Sequence, residues 1–173
     1  ATAEIVIEGK ISTEYSEEMT GPFGEYSGYM AEIHQSPVLD ISCITHRRNP
    51  IFTGLISQMP PSESSKIRQH ANEGTLLKHL RHDRNMPWVA AVGCFDTLGS
   101  SRMLAIKVQK TDPANIWRAL EALAKRFPLG KIIIAVDDDV NIHDLDSVNL
   151  ALCMRALPHR DFRIVKVPAS SNM

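Results

Sequence analysis

The chain lacks the features that mark several common classes of protein. Its 173 residues contain no apolar run of about 18 residues, so no segment is predicted to span a membrane. The first residues, ATAEIVIEGK, have neither the basic stretch nor the apolar block of a signal peptide. No GxGxxG, P-loop or GxSxG pattern occurs, which argues against a conventional nucleotide fold and against a hydrolase with a serine elbow.

The charge balance argues against a nucleic-acid-binding protein, and the cysteine content argues against a disulfide-bonded one. The 19 basic and 20 acidic residues give a net charge of −1, whereas a nucleic-acid-binding surface needs a clustered excess of Lys and Arg. The three cysteines, Cys43, Cys94 and Cys153, are far apart and form no CxxC pair. They are interpreted as reduced thiols, and a cytoplasmic protein without nucleic-acid partners is predicted.

Length and composition fit a globular protein. An apolar share of 43% and a charged share of 23% allow one domain, or one domain and part of another, with a buried core. The chain begins with Ala inside a strand pattern and ends on PASSNM directly after another predicted strand. Both ends are interpreted as cut, so we expect a piece of a longer polypeptide or a trimmed chain.

Residues 1–56 are predicted to form short strands. AEIVIEG alternates apolar and polar residues up to Gly9, GEYSGYMAEI follows, and VLDISCITHR alternates again. Gly and Pro separate these segments, which favours a small β-barrel or the edge of one. Met59–Ser64 then breaks the pattern, and a Ser there can cap the helix predicted over Ser64–Arg84, although Gly74 weakens that helix.

Residues 57–173 are predicted to alternate strands and helices. The helix DPANIWRALEALAKRF has Asp112 as its cap and Pro113 in its first turn, and Asp144 caps the helix DLDSVNLALCMRAL. KIIIAVD is typical of a central strand buried on both faces. With the strands WVAAVGCF, RMLAIKVQ and DFRIVKV, this order predicts a layered α/β domain with a mixed sheet, and an α/β class overall.

The segment TGPFGEYSGY, Thr20–Tyr29, carries the clearest functional signal. Gly21, Pro22, Gly24 and Gly28 give a tight backbone that can approach a flat ligand closely. Glu25 is the one carboxylate of this aromatic-edged stretch. A carboxyl group beside an apolar ligand loses hydration, which raises its pKa and suits a general acid. Taken alone, a Gly/Pro-rich segment with a Glu is more often only a turn.

Four segments together resemble the UbiD family of prenylated-FMN-dependent decarboxylases. GPFGEYSGY matches the family's GPFGE-x-x-GY motif, and AEIVIEG resembles the strand before it. ITHRRNPIF is similar to the family's I-T-x-R-x-x-P-I segment, and IIIAVDDDVNIHDLDSVNLALCMRALPHRDF resembles its later VDxDVDIxD block. Order and spacing agree for all four, so the resemblance extends over most of the chain.

This resemblance implies a cofactor, a reaction and a site. The cofactor would be FMN carrying a prenyl-derived fourth ring, with a divalent metal and potassium whose ligands lie mostly outside this chain. The substrate would be an aromatic or α,β-unsaturated carboxylic acid, with Glu25 as the acid/base that protonates the carbon that carbon dioxide leaves. The neighbours of Glu25 that would lie near substrate and cofactor are Thr20, Gly21, Pro22, Phe23 and Gly24.

The resemblance also implies two domains and an assembly. Residues 1–56 would be terminal strands of a flavin-binding split barrel, and residues 57–173 a domain of the oligomerisation type. A homo-oligomer, dimer or hexamer, is expected. The family usually has an acid before GPFG, where this chain has Thr20, and a Trp where it has Leu150. Thr20 leaves the family's paired-acid network incomplete, whereas Leu150 is interpreted as a packing difference.

Other polar clusters have structural interpretations. Asp137, Asp138 and Asp139 could hold Mg²⁺ or Ca²⁺, but they lack an EF-hand's spacing, and turn residues are expected at a strand end. His70, His79 and His82 could bind zinc, but a solvated helix face is favoured. His46 and Arg47 follow a strand, where they could support the site by meeting an anion such as a carboxylate. No metal site is predicted within the chain.

Three functions remain open from the sequence. The first is a lyase, as a piece or subunit of a decarboxylase that we expect to be inactive as the isolated 173 residues. The second is a non-catalytic assembly domain. The third is a subunit of a carboxylase complex, since the direction of the reaction depends on concentrations and partners.

Overall fold

The computed structural model describes residues 2–26, 28–97, 102–127 and 130–166, apart from the side chains of Glu17, Glu18 and Thr20. The chain divides into two compact units, Ala1–Met59 and Pro60–Met173. The predicted α/β class is confirmed, because an antiparallel pair of strands precedes a mixed sheet with helices. Among the described residues no helix is long and apolar enough to span a membrane.

The first unit is built on a long antiparallel ribbon. Strand β1, Ile5–Thr20, pairs with strand β2, His34–His46, and the described residues form no closed barrel. The prediction that the first strand ends at Gly9 is wrong. Gly9 instead lies at a register shift inside β1. A side chain there would collide with the carbonyl oxygen of Asp40, and because glycine has none, the strand can continue through this position.

The ribbon leaves apolar side chains exposed on both strands. Two strands cannot enclose a core between them, and a ribbon of this kind is marginally stable by itself. The exposed apolar residues of the two strands are Val6, Ile7, Ile11, Tyr15, Met19, Val38, Leu39, Ile41 and Ile44. Exposed apolar side chains in this number normally pack against further protein or a ligand.

The second unit contains a three-stranded sheet with the order β3-β4-β5. Its strands are β3, Val89–Cys94, β4, Met103–Val108, and β5, Ile132–Asp137. β3 runs antiparallel to β4, and β4 runs parallel to β5, so the predicted mixed sheet is confirmed. The helices are α1, Glu63–Lys78, α2, Pro113–Arg126, α3, Leu145–Arg155, and the short α4, Pro158–Asp161.

The core of this unit lies on both faces of β4. Leu104 and Ile106 are fully buried in a cluster that includes Leu123 of α2, while Ala105 belongs to a second cluster with Val148 of α3. The alternation of side chains across a strand separates the two clusters. KIIIAVD was predicted to be the central strand, and that is wrong: β5 is an edge strand of the described sheet, and β4 is central.

Short-range capping explains where the helices begin. The Ser62 side chain accepts a hydrogen bond from the N–H of Ser65, and the N–H of Ser62 donates to the Ser65 side chain, which completes a capping box at the start of α1. Asp112 caps α2 by accepting from Ala114, and Asp144 caps α3, so both predicted caps are confirmed. Gly74 does not interrupt α1, because the helix continues through it to Lys78.

Two further predictions about this unit are wrong. α1 continues into a π-helical turn, His79–Asp83, which buries His79 to 9% exposure instead of leaving it on a solvated face. The second concerns DFRIVKV, because its described residues, 161–166, form no strand: Asp161 ends α4 and the rest is irregular. Arg163 instead lies 3.9 Å from the ring centroid of Trp117. A contact with an aromatic face therefore holds this segment against α2, in place of a strand ladder.

Candidate functional site

A small hairpin between β1 and β2 carries the predicted site. The N–H of Ala31 donates to the carbonyl of Phe23 at 2.8 Å, and Gly24 forms an antiparallel bridge with Met30. Gly21, with a φ of 100°, lies just before this hairpin in a conformation that favours glycine. The segment 24–33 was predicted to form a strand. Instead it contains the turn of the hairpin and the residues that lead from it to β2.

Glu25 lies at the turn of this hairpin, and its side chain is exposed. Its N–H donates to the carbonyl of Tyr29 at 2.9 Å, so the backbone of Glu25 is fixed. The described residues of this unit do not cover the carboxyl group. The apolar surroundings that a general acid needs would therefore have to come from a bound ligand or from further polypeptide.

The surface of the same unit is rich in exposed apolar side chains. Phe23 is 49% exposed, Tyr29 is 78% exposed and Phe52, after the ribbon, is 82% exposed. Between positions 30 and 59, and outside β2, the other exposed large apolar residues are Met30, Ile33, Ile51, Leu55, Ile56 and Met59. Exposed aromatic and aliphatic groups of this kind suit a flat, largely apolar ligand.

Arg47 is already paired within the unit. Its Nη1 lies 3.2 Å from Oε1 of Glu4, and its Nη2 donates to the carbonyl of Thr2 at 3.2 Å. The other carboxylate oxygen of Glu4 accepts from the N–H of Ile51 at 3.2 Å. Arg47 therefore fastens the start of β1 to the chain after β2, and its charge is partly neutralised before it could meet a substrate carboxylate.

His46 has one ring nitrogen engaged. Its Nδ1 lies 2.7 Å from the carbonyl oxygen of Arg47. Because a carbonyl can only accept, Nδ1 carries the proton, and Nε2 is left as the acceptor of the neutral ring. His46 could thus accept a hydrogen bond through Nε2 in a supporting role.

Two predicted site residues remain. Pro22 follows Gly21 and is exposed, and Thr20 ends β1 opposite His34, but the side chain of Thr20 lies outside the part that the structure describes. Sequence reasoning missed Glu4, which organises this unit. Glu4 connects Arg47 and Ile51, and nothing in its surroundings in the sequence marks it. Gly28, which the sequence marked only as part of a tight backbone, has a φ of 83°.

The aspartates after β5 have a structural role. Arg155 of α3 donates to Asp137 at 3.1 Å and to both carboxylate oxygens of Asp139 at 2.8 and 2.7 Å. This pairing holds the pKa of Asp139 below its ordinary value. In the described ranges, no group of three His, Cys, Asp or Glu side chains is placed to hold a metal ion.

Solved structures of a UbiD-class enzyme and of a vanillic acid decarboxylase share this fold. An evolved dimeric form of the UbiD-class enzyme HmfF from Pelotomaculum thermopropionicum, in complex with prFMN, matches with a TM-score of 0.79 at 28% identity. Vanillic acid decarboxylase of Sedimentibacter hydroxybenzoicus matches with a TM-score of 0.81 at 29% identity. The matches cover 95% and 91% of this chain, but only 42% and 33% of those chains.

Sequence comparison identifies the family. Residues 1–60 match the UbiD 3-octaprenyl-4-hydroxybenzoate carboxy-lyase Rift-related domain, and residues 67–171 match the C-terminal domain of the same carboxy-lyase. A relative from Archaeoglobus fulgidus, itself uncharacterised, is 33% identical over 98% of this chain and 34% of its own length. The chain therefore belongs to the UbiD family, as the four segments indicated, and spans about a third of that relative.

Proposed function

We propose that this chain contributes the acid/base residue and part of the pocket of a carboxy-lyase that uses prenylated FMN. Its substrate would be an aromatic or α,β-unsaturated carboxylic acid. The observation that carries the proposal is the hairpin, which places the exposed Glu25 at a turn between two exposed aromatic residues, Phe23 and Tyr29. Membership of the UbiD family and the prFMN bound by HmfF support it.

The described residues fit one end of this cofactor. A Cβ built at Gly24 meets no heavy atom within 4 Å, so a flat ring has room against the backbone there. The exposed rings of Phe23 and Tyr29 offer apolar surface beside it. By the family resemblance, the phosphate, divalent metal and potassium would be bound mostly by other polypeptide, and the described part holds no group of three His, Cys, Asp or Glu side chains placed for a metal ion. When bound, prenylated FMN supplies the electron sink for decarboxylation.

Glu25 would handle the proton. The bond between the substrate carbon and its carboxylate carbon breaks, carbon dioxide leaves, and the electron pair remains on the substrate carbon. Glu25 in its acid form donates its Oε proton to that carbon and regains a proton from water, which its exposure allows. In the carboxylation direction the Glu25 carboxylate would remove the same proton.

Replacement of Glu25 tests the proposal. The natural gene product that contains this chain is loaded with prenylated FMN and assayed for carbon dioxide release from vanillic, 3,4-dihydroxybenzoic and cinnamic acids. We expect Glu25→Gln to lower kcat by about 10²–10⁴-fold, because the amide has no acidic proton to give, while Glu25→Asp retains part of the activity. A Glu25→Gln variant that releases carbon dioxide at the rate of the unmodified enzyme would exclude the role.

An assembly role is the second candidate, and α3 favours it. Val148 is fully buried and Ala151 is nearly so, whereas Leu150 is 64% exposed and Met154 is 75% exposed on the opposite face. Leu150 is therefore largely exposed within the described unit, and its interpretation as a packing difference stays a prediction. A helix that is apolar on both sides is normally covered on both. A homo-oligomer built through this face is consistent with the dimeric form of HmfF.

The two roles are separable by experiment. An assembly domain without catalysis would keep its oligomeric mass and lose nothing when Glu25 is replaced. A lyase would lose carbon dioxide release with Glu25→Gln at unchanged mass. A cytoplasmic location stays a prediction in both cases.

A further inference from the structure

Two backbone hydrogen bonds frame the turn that presents Glu25. The N–H of Gly28 donates to the carbonyl of Glu25 at 3.0 Å, and the N–H of Glu25 donates to the carbonyl of Tyr29 at 2.9 Å. Both bonds lie at a tight turn between Glu25 and Tyr29, and Gly28, the residue before Tyr29, has a φ of 83°. A residue in the left-handed region is common in tight hairpin turns, and glycine adopts that conformation without strain.

Position 28 admits little besides glycine. Side chains with a Cβ rarely adopt a positive φ, and branched ones are the least tolerated there. Space is also restricted, because a Cβ built on Gly28 would lie 3.3 Å from Sδ of Met59. Gly24, at the other side of the same hairpin, has neither restriction, since it meets nothing within 4 Å.

The Glu25 carboxyl depends on this backbone for its position. It makes no hydrogen bond or ion pair with any side chain in the described ranges, and it is exposed. Within the described chain, the direction of its Cα–Cβ bond is therefore set by the hairpin alone. A turn that opened at Gly28 would release both hydrogen bonds of the Glu25 backbone and would move the carboxyl group.

We propose that Gly28 is a positioning residue for the acid/base Glu25: its left-handed conformation closes the turn that points the carboxyl at the reacting carbon. This inference rests on the proposed function. It adds that the backbone conformation of Gly28, a residue without a side chain, limits the rate of decarboxylation. Displacement of a catalytic group by about 1 Å is enough to reduce rates by about 10²-fold.

Kinetics of three glycine variants test the proposal in the natural gene product loaded with prenylated FMN. The probe is whichever of vanillic, 3,4-dihydroxybenzoic or cinnamic acid the unmodified enzyme decarboxylates. We expect Gly28→Val to lower kcat by about 10²-fold with KM nearly unchanged, because substrate binding does not need the proton. Gly28→Asn should recover much of kcat, since Asn tolerates a positive φ. Gly74→Ala, on an open surface of α1, should behave as the unmodified enzyme.

Amide hydrogen exchange gives a second readout, which needs neither cofactor nor turnover. The N–H groups of Glu25 and Gly28 should exchange slowly in the unmodified protein and in Gly28→Asn, and faster in Gly28→Val. Gly24→Ala should keep both protected, because its new methyl group meets open space. This measurement also shows whether Gly28→Val remains folded elsewhere, since the amides of β4 should stay protected.

The outcomes separate this inference from the function on which it rests. Faster exchange with unchanged kcat in Gly28→Val would overturn the positioning role while Glu25→Gln still reports on the acid/base role. A fall in kcat with the two amides still protected would also overturn it, because the loss would not pass through the turn. If Glu25→Gln is fully active, the proposed function fails whatever the exchange shows.

Discussion

The guanidinium of Arg155 binds the carboxylate of Asp139 through two hydrogen bonds of 2.8 and 2.7 Å. The first joins Nη1 to Oδ1 and the second joins Nη2 to Oδ2, which is the paired geometry that a planar guanidinium favours. Arg155 ends α3, and Asp139 lies two residues after β5, so the contact fastens the helix to the edge of the sheet. Arg155 is thereby paired with two of the aspartates that the sequence left open as ligands for a cation.

Acid should weaken this fastening in a defined pH range. The hydrogen bonds from Arg155 hold the pKa of Asp139 below its ordinary value, and those from Arg160 lower the pKa of Asp161 to about 2. A carboxyl group whose pKa is lower in the folded state than in the unfolded state stabilises the fold. This contribution is complete above the ordinary pKa and is lost as the pH falls through the pKa of the folded state. We therefore expect the unfolding temperature to hold above pH ~5 and to fall between pH ~4 and ~2.

A matched pair of variants checks that prediction. Asp139→Asn removes one titrating group, so it should unfold at a lower temperature than the unmodified chain at pH 7 and approach it at low pH. Asp138→Asn is the control, because the Asp138 carboxylate makes no hydrogen bond with the described residues; its curve should keep the shape of the unmodified one. The effect should be small, since the pair is exposed and screened by salt. Parallel curves for all three proteins would contradict the assignment.

Gly74 offers a stabilising change. It lies inside α1, and a Cβ built there meets nothing within 4 Å. Because alanine loses less backbone entropy than glycine in a helix, Gly74→Ala should raise the free energy of unfolding by about 1 kcal/mol. Urea unfolding followed by circular dichroism measures this change in free energy, and the slope of the free energy with urea concentration should stay the same.

The same substitution in β3 should have the opposite sign. A Cβ on Gly93 would collide with the carbonyl oxygen of Ile142, so Gly93→Ala requires a backbone shift. We expect it to lower the free energy of unfolding by about 1–3 kcal/mol. A stabilised Gly93→Ala, or a destabilised Gly74→Ala, would show that the local space around these glycines is not as described.

Local signals in the sequence account for most of the second unit. Asp112 and Asp144 mark helix starts because capping depends on neighbouring residues only, and the apolar runs of β3 and β4 are visible without their partners. The position of KIIIAVD within the sheet is not local. An apolar run looks the same in a central and an edge strand, so its placement at the edge depended on pairing that the sequence does not reveal.

The candidate site shows the same difference between local signals, which the sequence reveals, and contacts between distant residues, which it does not. Its motif was visible because the glycines and Glu25 are contiguous, but the hydrogen bonds that make residues 24–31 a hairpin depend on a single conformation at Gly28. The pairing of Arg47 with Glu4 joins residues that are far apart in sequence and adjacent in the ribbon, so composition gave no sign of it. His79 was interpreted as solvated because helical spacing does not show that a π-helical turn follows α1.

The exposed face of α3 leads to the last prediction. Leu150 and Met154 are one turn apart and both project away from the core in which Val148 is buried, and Cys153 beside them is exposed as well. If a second copy covers this face, Leu150→Glu and Met154→Glu place charge in an apolar contact. We expect each change to weaken self-association by about tenfold or more, and the double variant to shift the mass measured by sedimentation towards the monomer.

Ile67→Glu is the matched control for that experiment, because Ile67 is 57% exposed on α1 and receives the same change of chemistry on another helix. It should sediment as the unmodified chain does. All three single variants should unfold within about 0.5 kcal/mol of the unmodified protein, since exposed substitutions rarely cost more. A double variant at Leu150 and Met154 that keeps the mass of the unmodified oligomer would show that the copies meet elsewhere. An unmodified chain that is already monomeric at every concentration would exclude self-association through α3.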